Sequence, residues 1–150
     1  MKVITSILLL LSSITLFSQT ENIIGEYFFH AGEKGKHMIE YTLTLNQDGT
    51  FIFHSHRNHK NGIPWEENKY GKGSWSLDGK VVSFVTNEQR DLDEKHTLDF
   101  SNSKARFITK PLKDKTDRVI KTRLQFFESE ISWIERLEIL KNKNALQQRL

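Results

Sequence analysis

The run His54-Ser55-His56-Arg57-Asn58-His59 gathers the side chains best suited to chemistry. Residues two apart on a strand point to the same face. His54 and His56 can therefore offer both rings to one divalent ion, with His59, just past the strand, curling back as a third ligand. Imidazole suits zinc, copper and nickel. Against this, Arg57 and Lys60 oppose a cation, and solvated strand and loop histidines are the plainer reading of the same residues. Glu66 and Glu67 stand beside Trp65 and suggest a carboxylate site under an aromatic platform. A sugar hydrolase, however, needs two carboxylates held at a set separation on rigid elements, and adjacent glutamates in a loop point in different directions. No Gly-x-Ser-x-Gly elbow is present, and Gly71-Lys72-Gly73 lacks the strand-to-helix setting of a phosphate loop. With no cysteine in the chain, thiol nucleophiles, Cys-based zinc sites and disulfides are excluded. Nothing assembles a nucleophile, a base and an orienting group, so the expectation is a protein that is not an enzyme and carries no cofactor.

The elements that must hold these residues read as strands. Tyr41 to Phe53 alternates apolar residues with threonines around a turn signal, the signature of a β-hairpin. A two-residue Asp48-Gly49 turn would set Leu43 opposite His54. A three-residue loop, Gln47-Asp48-Gly49 with Gly49 left-handed, instead pairs Leu45 with Phe51 and Leu43 with Phe53. The second register places Ile39, Tyr41, Leu43, Leu45, Phe51 and Phe53 on one face and is preferred, leaving His54 and His56 on the other. A second hairpin spans Gly73 to Phe84. A tight Asp78-Gly79 turn there pairs Trp75 with Val82 and Gly73 with Phe84. Further strands read at 23–29, 96–100, 105–109 and 119–127. Arg57 to Lys69 reads as a long polar connection carrying Trp65, and 87–95 as a charged loop. The end of the chain fits two descriptions. Ser132 to Glu135 matches a capping box ahead of helical spacing at Ile131, Ile134, Leu137 and Leu140, while 132–140 also fits a closing strand, which a barrel needs to seal against its first. The fold expected is all-β: one antiparallel up-and-down barrel of about 8–9 strands.

Composition agrees with a single domain. The chain has 150 residues, 37% hydrophobic and 27% charged, with 10 Phe, 3 Trp and 3 Tyr, enough to bury a core without staples. Its 22 basic and 19 acidic residues leave a formal charge of +3, too little to indicate a nucleic-acid footprint. The basic residues between Lys104 and Lys121 are interleaved with Asp114 and Asp117, as on a guarded strand edge. Lys2 followed by the apolar run Val3 to Phe17 and then Ser18-Gln19-Thr20 has the shape of a secretory signal, shorter than the roughly twenty residues of a membrane span. Residues 1–18 are thus expected to be a leader, 19–141 the barrel and 142–150 a polar tail. The mature protein is expected to be periplasmic or secreted, with no lipid-bearing cysteine and no stable membrane anchor.

Gly25-Glu26-Tyr27, then Leu-x-Leu-Asn-x-Asp-Gly-Thr-Phe-x-Phe over 43–53, then Gly-x-Gly-Ser-Trp-Ser-Leu-Asp-Gly-x-x-Val-x-Phe over 71–84, resembles the small secreted lipocalin-like domain proteins of bacteria, mainly over residues 23–84. Tyr27 stands where lipocalins carry a first-strand Trp. The resemblance implies a barrel that holds a small apolar or amphipathic molecule or serves a structural role in the envelope. On that reading the ligand-lining residues are Tyr41, Phe51, Phe53, Trp75 and Phe84 inside and Trp65 at the mouth. The alternative is a divalent-metal protein built on His54, His56 and His59.

Overall fold

The computed structural model describes residues 22–142; the expected leader, and the expected tail beyond Asn142, lie outside them. Nine strands run in chain order: β1 (Gly25–Glu33), β2 (His37–Leu45), β3 (Thr50–His59), β4 (Glu66–Asp78), β5 (Val81–Val85), β6 (His96–Leu98), β7 (Ser103–Ile108), β8 (Arg123–Glu128) and β9 (Glu138–Lys141), with one helical turn, α1 (Glu88–Asp91), between β5 and β6. Hydrogen bonding proceeds β3-β2-β1-β9-β8-β7-β5-β4 and closes by β4 on β3. The outcome is an antiparallel, up-and-down barrel of eight strands. The ninth, β6, is parallel to β4 and touches it at Tyr70 and Gly71, beyond the stretch of β4 that β5 occupies.

The first hairpin has the expected register, with Leu45 opposite Phe51 and Leu43 opposite Phe53. Gly49 adopts φ +81°, the left-handed residue that a three-residue loop requires. The second hairpin turns one residue later than expected, which moves its pairing by two positions. Trp75 faces Phe84 and Leu77 faces Val82, because the turn is Gly79-Lys80, with Gly79 at φ +59°, and Asp78 still belongs to the strand. The shift is an even number of positions, so Trp75, Val82 and Phe84 stay inside.

Other differences lie at the edges of strands. β3 extends to His59 and β4 begins at Glu66, with pairing from Thr50–Ser74 to Asn58–Glu66, so the expected long connection shrinks to residues 60–65. Ile131 to Leu137 forms a compact turn in which Ile134 N and Glu135 N both donate to Ile131 O, at 2.8 and 3.2 Å. Only then does β9 begin. It bonds to both β8 and β1, so the capping-box sequence makes a turn and the closing strand is confined to four residues.

The interior is packed with rings. Tyr27, Phe51, Phe53, Phe84, Phe100 and Phe126 are fully buried, and Phe51 meets Phe84 edge-on at 5.1 Å and Phe100 at 5.3 Å, arrangements that aromatic quadrupoles favour. Eight strands leave an interior about as wide as such side chains. One rim, here the lower, carries the β2–β3 and β4–β5 turns. The upper rim carries the β1–β2 and β3–β4 turns, the Thr86–Asn102 connection and the Ile131–Leu137 turn. Phe100 and Trp133 descend from those last two and pack on Phe53 at 5.0 and 6.0 Å.

Candidate mouth site and the histidine face

Alternation along β3 carries the inward row from Phe51 and Phe53 through Ser55 to Arg57 and His59. On β4 the matching row runs from Trp75, Gly73 and Gly71 to Lys69 and Glu67. The lining therefore changes from rings to polar groups as it nears the upper rim. Arg57 is the central group. Its guanidinium carbon lies 4.7 Å from the centroid of the Trp133 ring and 5.8 Å from that of Tyr41, within the range of cation–π attraction. One of its terminal nitrogens donates to Tyr41 Oη at 2.9 Å. Its Nε is buried without a protein acceptor, and no carboxylate among the described residues pairs with it. Its register partner Glu67 is engaged by Lys69 at 3.0 Å. The mouth thus holds two cations and one carboxylate, with one unneutralised guanidinium. Beside it opens a cleft of about 320 Å³ lined by Arg57, His59 and Glu67 and by the loop segment Ile63-Pro64-Trp65.

Trp65 is 60% exposed and flanks this cleft. Of the other expected ligand residues, Phe51, Phe53 and Phe84 are closed into the ring-packed centre, and Trp75 sits nearer the lower rim, where Nε1 donates to Asn46 O at 3.1 Å. Tyr41 alone links centre and mouth, through its ring and its hydroxyl. Sequence reasoning missed Arg57, Lys69, Phe100 and Trp133 as site-forming residues. The signal for Arg57 was present, since the alternation that begins at Phe51 continues unbroken to it.

The histidines divide between the two faces. His54 and His56 do share the outer face, with stacked rings 6.4 Å apart. His54 Nε2 meets Asn68 Oδ1 at 2.8 Å, and its ring lies on Tyr70 at 4.5 Å. His56 bridges two carboxylates, with Nδ1 3.4 Å from Glu40 and Nε2 3.1 Å from Glu66, and Glu40 reaches on to His30 at 3.2 Å. His59 does not join them. β3 runs through it, alternation turns it to the other face, and its Nδ1 is 3.1 Å from Nδ1 of His37. The expected three-histidine cluster is therefore split, and among the described residues no group of three or more His, Cys, Asp or Glu side chains is arranged to hold a metal ion. Glu66 and Glu67 do point apart, as expected, because they are consecutive on a strand.

No protein-family model, curated protein or solved structure matches the chain. The fold and the residues themselves carry the functional reading.

Proposed function

We propose that the protein is an exported, non-catalytic, lipocalin-like binding module that takes a small amphipathic molecule at the upper mouth. The apolar part of the ligand lies against Ile63 and Trp65, and its acceptor-bearing end meets Arg57. The observation that carries this reading is the buried Nε of Arg57, which has no protein acceptor, on a side chain that lines an open cleft. A buried donor left without a partner costs about 1–3 kcal/mol, and a ligand oxygen would recover it. Export is proposed from the leader-like sequence Lys2 to Thr20.

The test is titration with the anionic dye 1-anilinonaphthalene-8-sulfonate, read by its emission. Arg57→Gln should weaken binding by about tenfold or more, the worth of a charge-assisted hydrogen bond, and Trp65→Ala should weaken it independently. Equal affinities in the parent and both variants would overturn the mouth site. A structural envelope role is the second reading, favoured by an interior already filled with rings. Native mass spectrometry of protein purified from its own source separates the two: a co-purifying small molecule supports the binding module, and a bare chain supports the structural role.

A further inference from the structure

His37 and His59 face each other at the end of the β2–β3 ladder, and their geometry is unusual for a hydrogen-bonded pair. Their Nδ1 atoms are 3.1 Å apart, while the ring centroids are only 3.9 Å apart. Two imidazoles joined head-on by N–H···N would hold their centroids roughly 5.4 Å apart, the hydrogen-bond length plus two ring radii. The rings instead lie close together, tilted by 54°, with both Nδ1 atoms on the near side of the pair. Zinc and similar ions bind imidazole at about 2.0–2.1 Å, which sets two nitrogens on one ion about 2.9 Å apart at a right angle and about 3.4 Å apart at a tetrahedral angle. The observed separation falls between those limits. Both side chains are exposed, so an ion has access. The next strand over supplies a carboxylate in the same rung, because Glu33 is the register partner of His37. That carboxylate now pairs with Lys36 at 2.8 Å, with both side chains well exposed, an interaction worth little in water.

We infer that His37 and His59 form a divalent metal site of the copper–zinc class, with Glu33 released from Lys36 as third ligand. The site is separate from the outer face of His54 and His56, where His54 Nε2 is engaged by Asn68 and both ring nitrogens of His56 by Glu40 and Glu66. His59 also lines the mouth cleft, so the two sites adjoin, but the metal site needs neither Arg57 nor Trp65 and is tested without them. A close pair held by a strand ladder loses little entropy on chelation, and copper(II) should bind tighter than zinc in keeping with the general order of divalent affinities.

Calorimetric titration of the untagged chain with copper(II) and with zinc tests the site. One ion per chain should bind, copper the more tightly. His37→Ala and His59→Ala should each weaken binding by at least about tenfold, as loss of a ligand does, and Glu33→Gln should weaken it less. A His54→Ala/His56→Ala double variant should bind as the parent does. All the altered side chains are at or near the surface, and far-UV circular dichroism confirms that each variant is folded. Absence of binding heat, retention of full affinity in a His37→Ala/His59→Ala double variant, or loss only in the His54→Ala/His56→Ala variant would each overturn the assignment.

Discussion

Phe100 lies over Gly71, and the fit between them makes a quantitative test of the filled interior. Phe100 is fully buried, with its ring 5.3 Å from Phe51, 5.0 Å from Phe53 and 6.1 Å from Phe84. A Cβ at Gly71 would come within 2.7 and 3.0 Å of the Phe100 ring, closer than real carbon contacts allow. Phe100→Ala should lower stability by about 3–5 kcal/mol, the usual cost of emptying a buried aromatic position. A domain with about 5–15 kcal/mol to lose would remain folded. Gly71→Ala should cost about 1–3 kcal/mol, because the added methyl has to displace a ring in a close-packed core. In the Phe100→Ala background that methyl enters the vacated space, so the double variant should be more stable than the sum of the single losses by about 1–2 kcal/mol, the coupling typical of residues in contact. Urea unfolding read by tryptophan emission and far-UV circular dichroism measures all four corners of the cycle. Strict additivity would refute the packing argument. A second readout follows from the same cavity: benzene should raise the unfolding midpoint of the Phe100→Ala variant, as ligands of engineered apolar cavities do, and leave the parent unmoved.

Tyr27 Oη donates to Ile23 O at 2.6 Å inside the core, and burial pushes its hydroxyl well above the usual tyrosine range. The folded chain therefore keeps that proton where the unfolded chain releases it, so stability should fall as pH rises above about 10; Tyr27→Phe should cost about 1–3 kcal/mol at neutral pH and remove this part of the alkaline slope, as urea midpoints at several pH values would show. Asp93 accepts bonds from Lys72 Nζ at 2.8 Å and from the backbone nitrogens of Lys95 and His96 at 2.9 and 2.8 Å, and the Lys72 bond, followed by those from His96, holds its carboxyl well below the usual carboxylate range. The ordering it gives to the segment before β6 should be complete above the normal aspartate value of about 4 and fade as pH falls below it; Asp93→Asn should speed amide exchange at Lys95 and His96, and unchanged exchange would count against that role.

Strand periodicity made the inner lining legible wherever large apolar side chains alternate, and it failed where the same rows turn polar. Leu43, Leu45, Phe51 and Phe53 settle one register because every other choice exposes them. The Gly73–Phe84 hairpin has two registers that bury the same residues, so only the turn distinguishes them, and Asp78-Gly79 looks like a turn pair even though Gly79 alone takes the positive φ. Arg57, His59, Glu67 and Lys69 continue the inward rows of β3 and β4, yet a charged side chain at a mouth sends no hydrophobic signal, and the segment reads as loop. Phe100 and Trp133 come from irregular connections, where no period predicts direction. The division of the histidines depended on one fact, that β3 extends through His59. A strand ending three residues earlier would have allowed the cluster that the sequence suggests.

The ring is closed very unevenly. Nine residue pairs join β1 to β2, but two, Tyr27–Lys141 and Phe28–Leu140, join β1 to β9, extended by the bonds of Asn142, from N to Glu26 O at 2.8 Å and from Nδ2 to Glu26 Oε1 at 2.9 Å. Both strands reach the lower rim at the outer ends of the described chain, β1 by its start and β9 by its end. Antiparallel bonds lie across the strands, so tension applied at those two ends would load the seam one rung at a time, as in opening a zip. The barrel is therefore mechanically anisotropic, stiff against forces that must shear its long hairpins past one another and weak against a pull on its own ends.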